Sequence, residues 1–133
     1  MAVKEVENDF IKFMIEDGIL FSQFKTTSIG TLEDIKAIID LRHEISAGEK
    51  QYWCYDFSGM KTFDKDARDY ADKYGQDYLH ACAVILNSHI TKFIVNTFIL
   101  LKKPAVPLKG FSKKEDAVNW LKELKKKNEQ FKS

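Results

Sequence analysis

Between Phe10 and Lys25 two runs that alternate apolar and polar positions, FIKFMI and ILFSQF, flank Glu16-Asp17-Gly18. A period of two sends side chains to opposite faces of a strand, and an Asp-Gly pair between such runs readily takes the left-handed angles of a tight turn. The pattern predicts a β-hairpin near the start of the chain, behind residues 1–8, which are polar and expected to be loose. The period then changes. Leu32, Ile35, Ile38, Ile39 and Ile45 recur at helical spacing, so one face of a helix should lie on the sheet. Thr31 with Asp34 three residues on resembles a capping box at its start, and Gly48 is the expected stop.

The run Tyr52–Phe57 is short, aromatic-rich and continuous, as suits a strand buried on both faces of a mostly parallel sheet. Ser58 and Gly59 end it, and a short helix is expected from about Asp64 to Tyr74, with Ala67, Tyr70, Ala71 and Tyr74 on one face and Gly75 at its end. His80–Leu86 reads as a second buried strand. Asn87-Ser88 leads into a helix from about His89 to Lys103, closed by Pro104, whose apolar positions cover more than the stripe one sheet contact requires. Val106–Phe111 makes a last strand, which Pro107 assigns to an edge. Ser112 is the expected cap of a final helix with Ala117, Trp120, Leu121 and Leu124 facing inward, before Lys125-Lys126-Lys127 runs into solvent. The order is β-β-α-β-α-β-α-β-α, which predicts an α/β fold: a mixed sheet with an antiparallel hairpin first, parallel strands after it and about four helices.

Composition narrows the classes. The 133 residues fit one domain, 1–133, with a core of about 10–124; 44% are hydrophobic and 31% charged, as in a folded globular chain. With 21 basic against 20 acidic side chains the net charge is +1, and only the last dozen residues are basic, so nucleic acid is not an expected partner. The most apolar segment, Phe93–Leu101, is far short of the roughly 20 residues a membrane-spanning helix needs. No charged segment followed by an apolar one opens the chain, and Cys54 and Cys82 sit inside core strands without metal or redox spacing. Reduced, buried thiols and a cytoplasmic location are the expectation.

The strand ending Asp56-Phe57-Ser58-Gly59, followed by Phe63-Asp64-x-x-Ala67 at a helix start, together with the element order, resembles the STAS domain of anti-sigma factor antagonists and sulphate transporter tails. Within it the chain looks closest to the SpoIIAA-like, or STAS/SEC14-like, branch of small bacterial proteins, with Ala83–Ser88, Phe98–Val106 and Phe111–Leu121 also similar. The resemblance covers roughly residues 10–124. It implies a SpoIIAA-like fold and a non-enzymatic, regulatory protein-binding module that docks through the start of its second helix. In antagonist STAS domains a Ser or Thr at that start is phosphorylated; here the position falls within Asp64–Ala67, at Asp66, and carries a permanent carboxylate. A phosphate would bring about −1.5 to −2 charges where the carboxylate brings −1.

The crevice beyond the carboxyl ends of parallel strands is where partners are usually read. The candidate partner-binding residues are therefore Ser58, Thr62, Asp64, Asp66 and Arg68 on the first loop and helix start, with Ser88, His89 and Lys92 on the neighbouring edge. Helix capping explains Asp64 and Asp66 as well, and an ion pair from Asp64 to Arg68 is expected at their four-residue spacing. Phe93, Phe98 and Leu101 are the candidate apolar contact, serving core packing, a homodimer or partner contact, or an apolar, lipid-like ligand. The ligand-carrier reading is the alternative function. Catalytic residues are not expected: Ser58 with His89 has neither a GxSxG elbow nor an acidic group to orient the histidine. His43, His80 and His89 are too scattered for a metal, and no cofactor is implied.

Overall fold

A computed structural model describes residues 4–25, 31–56, 64–75, 77–86, 89, 92–93, 96 and 106–130. The hairpin forms as the alternation demands. β2 (Ile11–Glu16) and β3 (Ile19–Phe24) pair antiparallel with Glu16 opposite Ile19, leaving Asp17 (φ 53°) and Gly18 (φ 78°) as a two-residue turn. Both angles are left-handed, the combination whose twist matches that of the flanking strands.

The start of the chain differs from expectation. Lys4–Glu7 is not loose but forms β1, antiparallel to β2 and at the edge of the sheet. Its strand character comes from its neighbour. Val6 lies opposite Phe13 and joins the core, while Glu5 pairs with Lys12 at 3.6 Å and Glu7 with Lys25 at 3.2 Å. One apolar residue among charges gives no period to read, and the unpaired backbone of β2 supplies the ladder.

The sheet has six strands in the order β1-β2-β3-β4-β5-β6, where β4 is Gln51–Asp56, β5 Leu79–Ile85 and β6 Leu108–Phe111. β3, β4, β5 and β6 run parallel. The last strand occupies the edge and begins after Pro107, two residues later than expected. α1 (Leu32–Ser46) links β3 to β4 and α2 (Lys65–Tyr74) links β4 to β5; the two pack against each other on one face. Successive crossovers of one hand that step in one direction deliver their helices to the same side. The opposite face is left for α3 (Lys114–Gln130), which follows β6 and lies across β3, β4, β5 and β6. The described residues thus hold three bounded helices against the four expected. The fourth falls mainly outside them, although His89, Lys92, Phe93 and Asn96 are helical.

Local signals set the helix ends. Thr31 Oγ1 accepts from Asp34 N at 3.2 Å and the Asp34 carboxylate accepts from Thr31 N at 3.4 Å, so the capping box is complete. At the other end Ala47 already takes a left-handed angle (φ 52°), one residue before Gly48. α3 begins at Lys114, with the Lys113 carbonyl accepting from Ala117 N, so the cap position is Lys113 and Ser112 lies one residue before it. Lys125-Lys126-Lys127 lie in the last turns of this helix, which runs to Gln130, and Lys126 and Lys127 are exposed.

Alternation along the strands divides the core. Ile11, Phe13 and Leu20 join Ile35, Ile38, Ile39 and Ile45 of α1 and Ala67 of α2 on one face. On the other, Ile19, Tyr52, Cys54, Ala81, Ala83 and Ile85 meet Ala117 and Leu121 of α3. Alanines at 81 and 83 let α3 come close to β5, and burying a side chain such as Leu121 there is worth about 1.5–3 kcal/mol. Cys54 and Cys82 are buried and unbridged, on opposite faces of the sheet.

Candidate functional site

The carboxyl ends of β4 and β5 bring two chain segments to the same rim of the sheet. From β4 the chain passes to α2, where Asp64 is the N-cap and Asp64, Lys65, Asp66, Arg68 and Asp69 are all exposed while Ala67 is fully buried. Ala67 pins the first turn to the core and its charged neighbours face outward. From β5 the chain passes to the helical turn holding His89 and Lys92, both exposed. Phe93 follows, 70% exposed. Ser58, Thr62, Ser88, Phe98 and Leu101 lie outside the described residues.

The helix start is less tied down than the sequence suggests. Asp64 caps with its backbone only, as its side chain makes no capping hydrogen bond, whereas Asp66 Oδ1 accepts from Ala67 N at 2.9 Å. The expected Asp64–Arg68 ion pair is not formed. The four-residue pair on this helix is instead Lys65–Asp69, at 3.5 Å. Arg68 makes no ion pair among the described residues, so its charge is open to solvent.

The opposite end of the sheet holds a cleft that the sequence did not announce. Its volume is about 330 Å³, and its walls include Gly18, Glu49, Tyr52, His80, Lys125 and Asn128. The pairing of β4 with β5 steps from Gln51 opposite Leu79 to Tyr52 opposite Ala81, so His80 is an extra residue on the bulged strand. A bulge re-aims a side chain. His80 stacks on Tyr52 with ring centroids 4.8 Å apart, and Asn128 Nδ2 donates to the Tyr52 hydroxyl at 2.6 Å. Lys125, ion-paired with Glu129, lies against the Gly18 turn. α3 thus covers one face and walls this cleft.

A third polar feature is internal. Arg42 of α1 is 0% exposed, with its guanidinium carbon 5.1 Å from the centre of the Trp53 ring and Nη2 donating to Gly75 O at 3.0 Å. Gly75 closes α2, so the cation sits at the negative end of a helix. Burial brings the guanidinium down to about 10, against smaller attractions from Cys82, Asp77 and Tyr55. The same burial pushes the Cys82 thiol and the Tyr55 hydroxyl well up, and the Cys54 thiol to about 11, so these groups are protonated at neutral pH. The signal for Arg42 was legible: it falls three residues after Ile39 and three before Ile45, a charge on the apolar stripe of α1.

Among the described residues no three His, Cys, Asp or Glu side chains come together to hold a metal, and no helix is long and apolar enough to cross a membrane.

Six strands, an antiparallel start, parallel continuation and helices on both faces define a SpoIIAA-like α/β fold. The chain is similar over 90% of its length, and 92% of the other's, to the solved structure of an uncharacterised protein of the DUF3478 family with a SpoIIAA-like fold from Shewanella loihica PV-4, at 18% identity and a TM-score of 0.58. It belongs to the family described as Domain of unknown function (DUF7793), whose model matches residues 13–125. No curated protein matches it.

Proposed function

We propose that the protein is a non-enzymatic regulatory module that docks a protein partner through the start of α2. The observation that carries this reading is the exposed Asp64-Lys65-Asp66-x-Arg68 turn, where Asp64 and Arg68 have neither the cap nor the ion pair that would explain them structurally. An anchor at Ala67 with unspent charges beside it suits a docking surface, since the backbone of the turn is already fixed and only the side chains remain to be ordered on binding. The carboxylate of Asp66 at the position phosphorylated in antagonist STAS domains makes the docking charge permanent. The thiols at 54 and 82, buried and protonated, are poor nucleophiles, in keeping with a binding role.

The test is capture of a cross-linked protein partner from the native cell by wild type, Asp66→Lys and Arg68→Glu, with thermal unfolding alongside. Capture should fall roughly tenfold in both variants, the effect of about 1.4 kcal/mol. The helix-dipole change at these exposed sites is about 0.3–1 kcal/mol, unfavourable for Asp66→Lys and favourable for Arg68→Glu, so the melting temperature should move by no more than about 4 °C. Equal capture by all three proteins would remove α2 from the interface.

The 70% exposure of Phe93 favours one second reading, an apolar contact on the helical segment after β5, whether with another copy or a lipid-like ligand. Native mass spectrometry of the purified protein distinguishes these by the mass that accompanies the chain.

A further inference from the structure

Tyr78 stands in the turn between α2 and β5 with φ 59°, a left-handed angle that a bulky side chain rarely takes. The backbone is tied on both sides: Tyr78 O accepts from Gln51 N at 2.9 Å, and Asp77 N donates to Tyr74 O at 3.3 Å. At this angle the Tyr78 ring meets His43 of α1 edge to face, with centroids 5.1 Å apart and planes at 80°. Tyr78 is nonetheless 43% exposed, so a residue that touches the histidine on one side is open to water on the other.

His43 Nε2 is buried and has no hydrogen-bond partner among the described residues. A neutral imidazole can leave that nitrogen without a hydrogen, whereas an imidazolium carries N–H on both. Charging the ring in place would bury a donor with nothing to receive it. Burial, and then the neighbouring Arg42 cation, hold the ring below its ordinary 6.5; Asp77, the Tyr74 backbone and Asp40 pull the other way by less.

We propose that His43 and Tyr78 form an acid-released latch: the neutral imidazole seats the Tyr78 ring, and a proton at Nε2 unseats it and frees the turn between α2 and β5. Water is the acceptor that the new N–H needs. Tyr78 is the contact that yields most readily, since its release also lets the backbone leave the left-handed region. The latched form takes up a proton less readily than the open one, so acid favours opening, by about tenfold at most for each pH unit below 6.5. The latch lies at the other end of α2 from Asp64–Arg68, so it stands or falls independently of the docking surface.

Nuclear magnetic resonance of the labelled chain tests it between about pH 8 and pH 5, with wild type, His43→Phe and Tyr78→Gly side by side. In wild type the His43 ring should titrate below 6.5, and its Overhauser contact with the Tyr78 ring should fade with the same midpoint. The amides of Asp77, Tyr78 and Leu79 should move with it. His43→Phe keeps a ring that cannot charge, so its contact with Tyr78 should persist across the interval. Tyr78→Gly removes the cover, so the His43 midpoint should rise toward 6.5; this variant and wild type decide the matter should the phenylalanine protein fail to fold. A contact that survives with His43 charged would overturn the proposal, as would an unmoved midpoint in Tyr78→Gly. Loss of the contact over the same interval in His43→Phe would assign the opening to another group and overturn it too.

Discussion

Truncating Leu121 to alanine should cost about 4 kcal/mol. The side chain is 0% exposed and packs between α3 and the face of β4 and β5 that carries Tyr52, Cys54, Ala81 and Ala83. Leu→Ala substitutions in cores cost about 2.7–5 kcal/mol, the spread following how far the surroundings collapse into the void. Here the collapse is limited: two neighbours on β5 are alanines and cannot extend, and the sheet beneath is held by parallel ladders on both sides of β4 and β5. The upper half of the range follows. With an unfolding entropy of about 2.1 cal/mol/K per residue over 133 residues, 4 kcal/mol corresponds to a fall of roughly 14 °C in melting temperature. Differential scanning calorimetry measures it, with the exposed neighbour Lys122→Ala as control, where the change should stay within about 2 °C. A fall of less than about 5 °C for Leu121→Ala would mean that α3 is not seated on the sheet as described, and the cleft it walls would go with it.

Replacing Gly18 with alanine forces a side chain onto φ 78° and places its Cβ 2.6 Å from Lys125 Cε. The left-handed angle costs about 1–2 kcal/mol, whereas the lysine end can swing away, so Lys125→Ala added to Gly18→Ala should recover little of the loss in urea unfolding. Recovery of most of it would make contact, not backbone strain, the cause. Stability should also fall in alkali. Burial holds the Cys54 thiol near 11 in the folded chain against 9.0 ordinarily, so above pH 9 the unfolded chain releases a proton that the folded one keeps. This contribution is whole below pH 9 and is lost as the pH rises toward 11; Cys82 and Tyr55 act in the same direction. Urea midpoints across that interval should decline, less steeply in Cys54→Ala, and a rise would contradict the buried placement of these groups.

Where a residue pattern is repeated, the chain's organisation was legible. The Asp17-Gly18 hairpin, the Thr31–Asp34 box, the isoleucine stripe of α1 and the two apolar runs each carry several concordant signals within a few positions. β1 carries one apolar residue in four and depends on β2 for its hydrogen bonds, so it has no signature of its own. Of the candidate rim, Asp64, Asp66 and Arg68 lie at an exposed helix start as read, but the pairing chosen was wrong. A four-residue spacing admits both Asp64–Arg68 and Lys65–Asp69, and side-chain geometry selects the second.

Taken alone, the amino-acid order determined the periods, the turns and the caps, because each of these is a contest between neighbours a few residues apart. Only the folded arrangement decided which faces meet. It sent α3 to the side of the sheet that the crossover helices leave bare, made His80 a bulged residue against Tyr52, and enclosed Arg42 between α1, Trp53 and the end of α2. Such juxtapositions join residues up to 76 positions apart, as Asn128 and Tyr52 are. No local preference encodes them; they follow from how a twisted sheet and its helices share the work of excluding water.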